Sequence, residues 1–378
     1  MTIEAVDARR LHDRFGERLS IQPHVRRLYG YDATGFFGLP DAVLYAESVQ
    51  DLHDAVLLAQ RLRSPLVGRG SGTGLSGGSV PEHGGIVVSF ERMRNVLSID
   101  ETHFRMWVEA GAVNRALESE LEPVGLFYPP DPASHRIATI GGNLAENSGG
   151  PRAVKYGVSG HHVIQLQVVD AAARMGILAC GEFQPSLDLA SLVIGSEGTL
   201  ALIASAQLSL DRRPERVVTH LLSFSAMATA TRFVSALIAS GTVPSTLEFL
   251  DRNTIRAIEE WGVATYPAGS DAILLLDLDS NRCDIDHESG AIVNLAQAMG
   301  ALEVVVAADE AEREAVWLGR RGSYAAIARH SGRVFIQDIT VPRSRLTEML
   351  LEVERIAGKY DLHASTVGHA GDGNLHPD

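Results

Sequence analysis

Apolar side chains in the first part of the chain recur at spacings that predict a strand, a helix and a second strand. Apolar runs at residues 43–46 and 65–68 predict the strands, and residues 48–63 place apolar side chains on one helical face. Ser48 followed by Asp51 resembles a capping box, which supports a helix start there. A further strand-like run lies at residues 85–90. The pattern predicts a βαβ-like unit near the start of the chain.

The pattern changes after a charged, proline-containing stretch at residues 211–216. Beyond it, the spacing predicts helices at about residues 226–240, 310–329 and 344–358, and strands near 246–250, 272–278, 303–306 and 334–336. We therefore expect one domain over residues 1–213 and a second over residues 214–378. The second is expected to be an α+β layer with helices on one face of a mainly antiparallel sheet.

Composition and charge narrow the class of protein. The 378 residues include 33 Lys plus Arg and 47 Asp plus Glu, a formal net charge of −14, and 45% are hydrophobic. This composition excludes intrinsic disorder and predicts a globular protein with a sizeable core. A negative surface repels phosphodiester backbones and anionic lipid headgroups. We therefore expect no nucleic-acid partner.

The cysteines and the start of the chain bear on the compartment. Cys180 and Cys283 are too few and too far apart for a disulfide framework or a zinc ribbon, so we expect small buried apolar groups. The first residues lack the basic and apolar regions of a secretory signal. No apolar run reaches the length of about 18 residues that a spanning helix needs. Cytoplasmic residence is the expectation.

A glycine-rich loop follows the strand at residues 65–68, with glycines at positions 68, 70, 72, 74, 77 and 78. Residues 72–77 match G-x-G-x-x-G, the nicotinamide-dinucleotide fingerprint of a Rossmann unit. That fingerprint must open a helix, whereas residues 78–85 lead into another strand, which disfavours a Rossmann unit. Without a helix the loop can still present a row of backbone N–H groups to an anion, and the alternative is a mobile surface turn.

Two further clusters combine glycines with small polar residues. One runs through residues 128–132 and 139–150, where a flat ligand could lie against the backbone, with a tight structural crossing as the alternative. The other, at residues 194–200, is short and carries little information alone. The occurrence of all three clusters in one chain is more informative than any one of them.

These three motifs resemble the FAD-binding region of the vanillyl-alcohol-oxidase (PCMH-type) flavoproteins. More narrowly, the chain resembles the group of D-lactate dehydrogenases, glycolate oxidase large subunits and D-2-hydroxyglutarate dehydrogenases. The resemblance implies an α+β protein with a two-subdomain PCMH-type FAD-binding domain and a ferredoxin-like substrate (cap) domain. The cofactor-binding positions that it implies are Arg69, Gly70, Ser71, Gly72, Thr73, Gly74, Leu75, Ser76, Gly77, Gly78, Pro130, Asp131, Thr139, Gly141, Gly142, Asn143, Gly195, Glu197, Gly198 and Thr199. Because no histidine lies within residues 68–78, we expect non-covalent FAD.

The last residues contain two histidines seven positions apart, a spacing that does not by itself define a metal site. Residues 369–376 resemble the family segment H-x-G-D-G-N-x-H. The resemblance implies that His369 and His376 bind a divalent cation, with zinc favoured, and that Asn374 contacts the substrate carboxylate. It also implies a carboxylate-binding arginine at Arg320, although Arg321 next to it leaves the position open by one residue.

The chain departs from the family pattern at its end. Relatives continue past the histidine-rich segment to a Glu-His pair that supplies a third metal ligand and a general base, whereas this sequence stops at Asp378. The resemblance therefore implies an incomplete substrate domain, whose retained activity is an open question.

The expected activity is the FAD-dependent oxidation of a D-2-hydroxy acid, with D-lactate or glycolate favoured. Electrons would then pass to a separate acceptor: a cytochrome, a quinone, an electron-transfer flavoprotein or a partner subunit. The alternatives are a D-2-hydroxyglutarate dehydrogenase, an oxidase that uses oxygen, and a catalytically disabled FAD-binding subunit or fragment. Association with a membrane surface through the acceptor stays open.

Overall fold

The structure is a computed structural model that describes residues 14–180, 187–280, 284–331 and 334–378. Packing divides the chain into two compact units. Unit 1 comprises Met1–Gly150 and Gly157–Arg213, and unit 2 comprises Pro151–Tyr156 and Pro214–Asp378. The segment Pro151–Tyr156 therefore leaves unit 1 and packs within unit 2. Cys180 is half-buried against the core of unit 1, and Cys283 lies outside the described residues.

The strands are β1 (Leu19–Ser20), β2 (Ala42–Tyr45), β3 (Leu66–Arg69), β4 (Ile86–Ser89), β5 (Val96–Asp100), β6 (Arg105–Glu109), β7 (Leu126–Phe127), β8 (Val163–Asp170), β9 (Met175–Ala179), β10 (Ala201–Ser209), β11 (Asp211–Arg212), β12 (Arg216–Phe224), β13 (Thr246–Asp251), β14 (Ala272–Ser280), β15 (Glu303–Val306), β16 (Ile339–Thr340), β17 (Thr366–His369) and β18 (Asn374–Pro377).

The α-helices are α1 (Pro23–Leu28), α2 (Val49–Leu62), α3 (Leu117–Leu121), α4 (Ile140–Glu146), α5 (Ala153–Tyr156), α6 (Leu189–Val193), α7 (Met227–Ala239), α8 (Arg252–Trp261), α9 (Ile285–Ala298), α10 (Glu310–Ser331) and α11 (Leu346–Lys359). Short 3₁₀ turns lie at Gly16–Arg18, Asn114–Ala116, Glu122–Val124, Ser159–His162 and Arg343–Arg345.

The first sheet of unit 1 contains the predicted βαβ-like unit. Its strand order is β1-β2-β4-β3, with β2, β4 and β3 parallel and β1 antiparallel to β2. Helix α2 connects β2 to β3, and the backbone N–H of Asp51 donates to the Ser48 side chain at its start, as the capping pattern predicts. No helix lies between β3 and β4, so the glycine loop does not open a Rossmann helix. These predictions are confirmed.

The second sheet of unit 1 is antiparallel, with the strand order β5-β6-β10-β8-β9. Side chains of α2, α4 and both sheets meet in one continuous apolar core. The core anchors both ends of the glycine loop, because Ile86 and Val88 of β4, the strand that follows the loop, lie within it and Leu66 of β3, the strand that precedes the loop, packs against it. The loop is thereby attached to two parallel strands, of which β4 is buried throughout and β3 is partly buried.

Unit 2 is built around an antiparallel sheet with the strand order β15-β12-β14-β13-β17-β18-β16. Helices α7, α9 and α11 pack against one face, and helices α8 and α10 pack against the other. The expectation of helices on one face was therefore wrong. The continuous apolar run Ala272 to Leu276 in β14 is the physical reason, because a strand buried on both faces needs no polar alternation.

The prediction of a strand at residues 334–336 was also wrong, because those residues belong to no sheet strand. Phe335 is 62% exposed, whereas Val334 packs against the apolar core of unit 2, so the run is only partly buried. Pairing with β18 begins at Gln337, whose N–H donates to the Pro377 carbonyl at 2.9 Å, and continues as β16 at Ile339 and Thr340. The remaining helices and strands that the pattern predicted beyond residue 216 are confirmed, with bounds shifted by a few residues.

Candidate functional site

The glycine loop at residues 70–79 has backbone donors that the protein leaves unused. No N–H group from Ser71 to Ser79 donates a hydrogen bond to any part of the chain that the structure describes. Gly72 and Gly77 adopt φ values of 68° and 84°, which favour glycine. Backbone N–H groups ordinarily find an acceptor, so a run of free donors fits an anionic ligand such as a diphosphate.

Arg69 lies beneath this loop, with only 7% of its surface exposed. Its Nη1 donates to the Tyr31 carbonyl at 2.5 Å, and its guanidinium lies 5.6 Å from the ring centroid of Tyr29. A Cβ at Gly72 would collide with that guanidinium. Burial lowers the pKa of Arg69 from its ordinary value, although a guanidinium stays protonated in proteins. The structure therefore places a buried cation directly against the loop.

The second motif holds the loop from the other side. The hydroxyl of Thr139, which precedes α4, lies against Gly70, and the Ser71 hydroxyl donates to the Ile137 carbonyl. The Ser76 hydroxyl donates to the two carboxylate oxygens of Glu146 at 2.8 and 3.0 Å. These contacts connect the loop to both ends of α4.

Glu146 is a partly exposed carboxyl group with a perturbed pKa. Burial of the carboxyl raises its pKa, and the nearby charges of Glu197 and Asp32 act in the same direction. A carboxylate beside an anion-binding loop is repelled by a bound anion, so the neutral form suits the loop better than the charged form.

Among the remaining FAD positions that the resemblance implies, Gly141, Gly142 and Asn143 lie within α4, whereas Pro130 contacts Asn114 and Asp131 contacts Gly150. Gly141 packs against Ala110, and the side chain of Asn143 is 4% exposed, with an Nδ2 that has no described partner. The third motif binds the same helix through its backbone, because the N–H groups of Gly195 and Glu197 donate to Leu144 and Ala145 at 3.0 and 2.8 Å. Unit 1 thus brings the three glycine motifs together, and Asn143 contributes an unsatisfied buried donor.

In unit 2, the two C-terminal histidines lie on adjacent strands of a hairpin. Strands β17 and β18 pair with His369 opposite Asn374 and His376 opposite Val367. The imidazole rings of the histidines are 5.1 Å apart and nearly perpendicular. A Cβ at Gly371 in the turn would collide with Val154 of α5, so glycine is needed there for close packing.

A fully buried carboxylate joins His369 to Arg320. Glu248 on β13 lies opposite His369 in the sheet and is 0% exposed. One of its oxygens, Oε1, accepts a hydrogen bond from His369 Nδ1 at 2.6 Å. The other, Oε2, accepts from Arg320 Nε and Nη2 at 2.8 and 2.7 Å. Sequence reasoning missed Glu248, although a glutamate within the apolar strand Thr246–Asp251 was a visible signal.

The charges in this cluster shift each other's pKa values. Burial acts to raise the pKa of Glu248, but His369 and Arg320 outweigh burial and hold it below the ordinary value. Burial acts to lower the pKa of His369, but Glu248 outweighs it and the net shift is upward. Burial and the neighbouring His369 together lower the pKa of His376 to about 4. The two histidines thus have opposite preferences for a proton.

The structure distinguishes Arg320 from its neighbour. The side chain of Arg320 is 14% exposed and belongs to the cluster, whereas that of Arg321 is 46% exposed and pairs with Glu314 on the surface. Asn374 donates from Nδ2 to Asp338 at 2.8 Å and to Thr340 at 3.2 Å, and its buried Oδ1 has no described partner.

The histidines alone do not complete a metal site. Within residues 14–180, 187–280, 284–331 and 334–378, no group of three or more His, Cys, Asp or Glu side chains is arranged to hold a metal ion. The Nδ1 atom of His369 is engaged by Glu248, so Nε2 is the ring nitrogen that remains for a ligand.

The three glycine motifs that meet in unit 1 fit an FAD-binding domain, and the comparisons with known proteins agree. Residues 40–176 match the family described as FAD binding domain, and residues 213–378 match the family described as FAD linked oxidases, C-terminal domain. The chain is 38% identical to the glycolate oxidase subunit GlcD of Bacillus subtilis over 356 residues, which cover 93% of this chain and 76% of that protein.

A second relative and two solved structures extend the comparison. The chain is 29% identical to the D-lactate dehydrogenase of Anaerostipes hadrus, covering 95% of this chain and 78% of that protein. An alkyldihydroxyacetonephosphate synthase matches 99% of this chain and 80% of its own length, with a TM-score of 0.80 at 17% identity. A p-cresol methylhydroxylase with bound substrate matches 99% and 82%, with a TM-score of 0.79 at 14% identity. At such identities the structures show the fold alone.

The chain belongs to the FAD-linked oxidase family and is an FAD-dependent oxidoreductase. The expected family, the fold class and FAD as a cofactor are thereby confirmed. The unused N–H groups of the loop and the unsatisfied Nδ2 of Asn143 fit a polar, anionic ligand of this kind. Among the described residues, no helix is both long and apolar enough to span a membrane.

Proposed function

We propose that the protein oxidises a D-2-hydroxy acid to the 2-oxo acid, with D-lactate or glycolate favoured. The observation that carries the proposal is the cluster of Arg320, Glu248 and His369, which combines a largely buried cation with an oriented imidazole. The names of the relatives support this substrate class, because they include glycolate oxidase subunits and D-lactate dehydrogenases. In this proposal residues 1–213 bind FAD, and residues 214–378 form the substrate domain.

Arg320 binds the substrate carboxylate. Its Nε and Nη2 are held by Glu248, whereas its Nη1 makes only a 3.5 Å contact with the Ser323 hydroxyl. Nη1 is therefore the donor that remains for a carboxylate. Asn374 supplies a second polar contact. Its Nδ2 gives up its hydrogen bonds to Asp338 and Thr340 and donates to the substrate instead.

The oxidation removes a hydride from the carbon that carries the hydroxyl group and a proton from that hydroxyl group. FAD, when bound, supplies the hydride acceptor. The glycine loop holds its diphosphate through backbone N–H groups, and the absence of histidine in residues 68–78 supports non-covalent binding. Acid precipitation tests this point, because non-covalent FAD is released to the supernatant and covalent flavin remains with the polypeptide.

A divalent cation, with zinc favoured, belongs to the proposal as a separate hypothesis. His369 and His376 would supply two ligands, and the cation would lower the pKa of the bound hydroxyl group. The described residues complete no ligand set, so the role of Arg320 does not depend on the cation. Metal analysis of purified wild-type protein and of H369Q/H376Q tests it: a cation present in the first and absent from the second is expected, and equal contents contradict it.

Electrons leave the reduced flavin to a separate acceptor. Since the GlcD relatives are described as subunits, a partner subunit is the favoured acceptor, ahead of a cytochrome, a quinone or an electron-transfer flavoprotein. The proposal places the protein in the cytoplasm, with attachment to a membrane surface through the acceptor as the alternative.

An anaerobic visible spectrum of the FAD-loaded protein tests the activity. Bleaching of the flavin by D-lactate or glycolate is expected, and preferential bleaching by D-2-hydroxyglutarate would move the substrate assignment within the class. A yellow protein that no hydroxy acid bleaches would contradict the proposal and favour a catalytically disabled FAD-binding subunit. Rapid reoxidation on admission of air would favour an oxidase.

Two adjacent arginines provide a matched pair of variants. R320Q removes the carboxylate contact, so we expect the substrate concentration for half-maximal bleaching to rise about 30- to 100-fold, as loss of a charge-assisted hydrogen bond implies. R321Q removes an exposed charge and should leave that concentration within about twofold. Equal effects of R320Q and R321Q would contradict the assignment of Arg320.

A further inference from the structure

Glu248 is a carboxylate without solvent contact whose two oxygens serve different residues. Oε1 accepts from His369 Nδ1, and Oε2 accepts from Arg320 Nε and Nη2. A carboxylate is costly to bury unless both oxygens are satisfied. Here the donors come from β17 and from α10, which are far apart in the chain. The pairing therefore arises only in the folded unit.

Unit 2 contains a second buried carboxylate that serves as a comparison. Asp277 on β14 accepts hydrogen bonds from Thr219, from Trp317 Nε1 at 3.1 Å and from Arg313 Nη2 at 3.3 Å. It resembles Glu248 in burial and in having an arginine partner on α10. No histidine contacts Asp277 among the described residues. Asp277 is therefore a matched buried carboxylate whose hydrogen bonds include no imidazole.

We propose that Glu248 is a positioning residue, which fixes the tautomer of His369 and the orientation of Arg320 at the same time. In the neutral imidazole of His369, a proton held on Nδ1 by Glu248 leaves Nε2 as the unprotonated ring nitrogen, available as a base or as a metal ligand. By holding Nε and Nη2 of Arg320, it leaves Nη1 as the donor for a carboxylate. The inference rests on the proposed function only where it assigns His369 Nε2 a role as base or metal ligand and Arg320 Nη1 a role in binding the substrate carboxylate.

The hydrogen-bonding capacity of glutamine makes E248Q a sharp test. A glutamine amide has one oxygen that accepts and one NH2 group that donates, whereas Glu248 must accept on both sides. Arg320 cannot accept a hydrogen bond, so the amide oxygen turns to Arg320 and the NH2 group faces His369 Nδ1. That nitrogen must then accept, which moves the imidazole proton to Nε2.

The tautomer of His369 can be read in FAD-loaded full-length protein labelled with 15N-histidine. Two-bond 1H–15N correlations distinguish Nδ1–H from Nε2–H in a neutral imidazole, and loss of signals in H369Q assigns His369. We expect the Nδ1–H tautomer in wild-type protein and in D277N, and the Nε2–H tautomer in E248Q. The wild-type spectrum is decisive even if E248Q fails to fold, because an Nε2–H tautomer there overturns the proposal. An unchanged tautomer in a folded E248Q also overturns it.

Steady-state kinetics give a second readout that general destabilisation does not produce. E248Q retains the Arg320 contact, so KM for the hydroxy acid should change less than threefold while kcat falls at least tenfold. D277N should change neither by more than about twofold. A rise in KM alone for E248Q would contradict the tautomer effect. If wild-type protein oxidises no hydroxy acid, the proposed function fails, while the NMR result still decides the role of Glu248.

Discussion

The glycine loop of unit 1 and the buried cluster of unit 2 are candidate ligand sites that are built in opposite ways. The loop offers main-chain N–H groups that have no acceptor in the described protein, and its side chains serve mainly to fasten it to α4. The cluster offers side chains of Arg320, Glu248 and His369, which satisfy one another's hydrogen-bonding groups.

The difference determines what each region can recognise. A loop of free backbone donors binds charge and shape with little dependence on side-chain identity, which suits a cofactor of fixed structure. In a cluster of mutually paired charges, few donors remain for a ligand. The nitrogens that do remain, Arg320 Nη1 and His369 Nε2, are held in fixed orientations by Glu248. The first region is therefore sensitive to backbone geometry, and the second is sensitive to the loss of any one partner.

The largest expected effect comes from breaking the cluster. E248A leaves the Arg320 guanidinium buried without its acceptor and should destabilise the protein by about 3–5 kcal/mol. E314A removes the exposed partner of Arg321 and should cost less than about 1 kcal/mol. Chemical denaturation of the two FAD-loaded variants measures the difference. Similar losses of stability in E248A and E314A would show that burial does not make the Glu248–Arg320 pair more important for stability than the exposed Glu314–Arg321 pair.

A second variant tests whether the loop depends on its backbone conformation. G72A introduces a Cβ at a φ of 68° and against the Arg69 guanidinium, for a combined cost of about 2–5 kcal/mol. If that strain disrupts the loop, the dissociation constant for FAD rises about 30-fold or more. Titration of apoprotein with FAD, followed by flavin fluorescence, measures it.

G125A is the control for G72A, because Gly125 has a φ of 69° but open space around its Cβ position. We expect its FAD affinity to stay within about twofold of wild type, since it shares the backbone strain without the collision. If G72A and G125A bind FAD equally well, the close approach of Arg69 to the loop has no bearing on the cofactor.

The smallest expected effect concerns Glu146, whose carboxylate accepts a hydrogen bond from the Ser76 hydroxyl of the loop. Its pKa is raised above the ordinary 4.5, so the proton is retained to a higher pH than in an exposed glutamate. FAD affinity should therefore be highest below that ordinary value and should fall as pH rises through the raised pKa, when a charged carboxylate begins to repel the diphosphate. Solvent screening limits the change to about a few-fold.

E146Q cannot ionise at this position, so its FAD affinity should be independent of pH over the same range. E118Q, which alters an exposed partner of Arg115, should keep the wild-type pH dependence. A pH dependence that persists unchanged in E146Q would exclude Glu146 as its source.

Local patterns explain what the sequence predicted and where prediction stopped. The helix start at Ser48 and the lack of a helix after the glycine loop depend on residues close together in the chain, and both were predicted. The partner of His369 is 121 positions away in the chain, and their contact depends on the pairing of β13 with β17. A single sequence contains no record of that pairing.

The pattern of burial was the second limit on what the sequence could predict. Glu248 and Asp277 each interrupt an apolar strand, so the same sequence signal marks a carboxylate that is bonded to a histidine and one that is bonded to Thr219, Trp317 and Arg313. Phe335 belongs to an apolar run that is not a strand, because apolar character alone cannot supply a neighbouring edge to pair with. Distinguishing such cases requires knowledge of which elements are adjacent.

The segment Pro151–Tyr156 has a consequence for how the protein is made and inherited. Lys155 donates to the Asp279 carbonyl at 2.9 Å, and the Tyr156 hydroxyl donates to the Asp279 carboxylate at 2.7 Å. A segment from the first half of the chain therefore completes unit 2. During translation this segment is synthesised more than a hundred residues before Asp279, its hydrogen-bonding partner. A gene exchange at position 213 would transmit Asp279 without its two partners, so the two halves are expected to be inherited together.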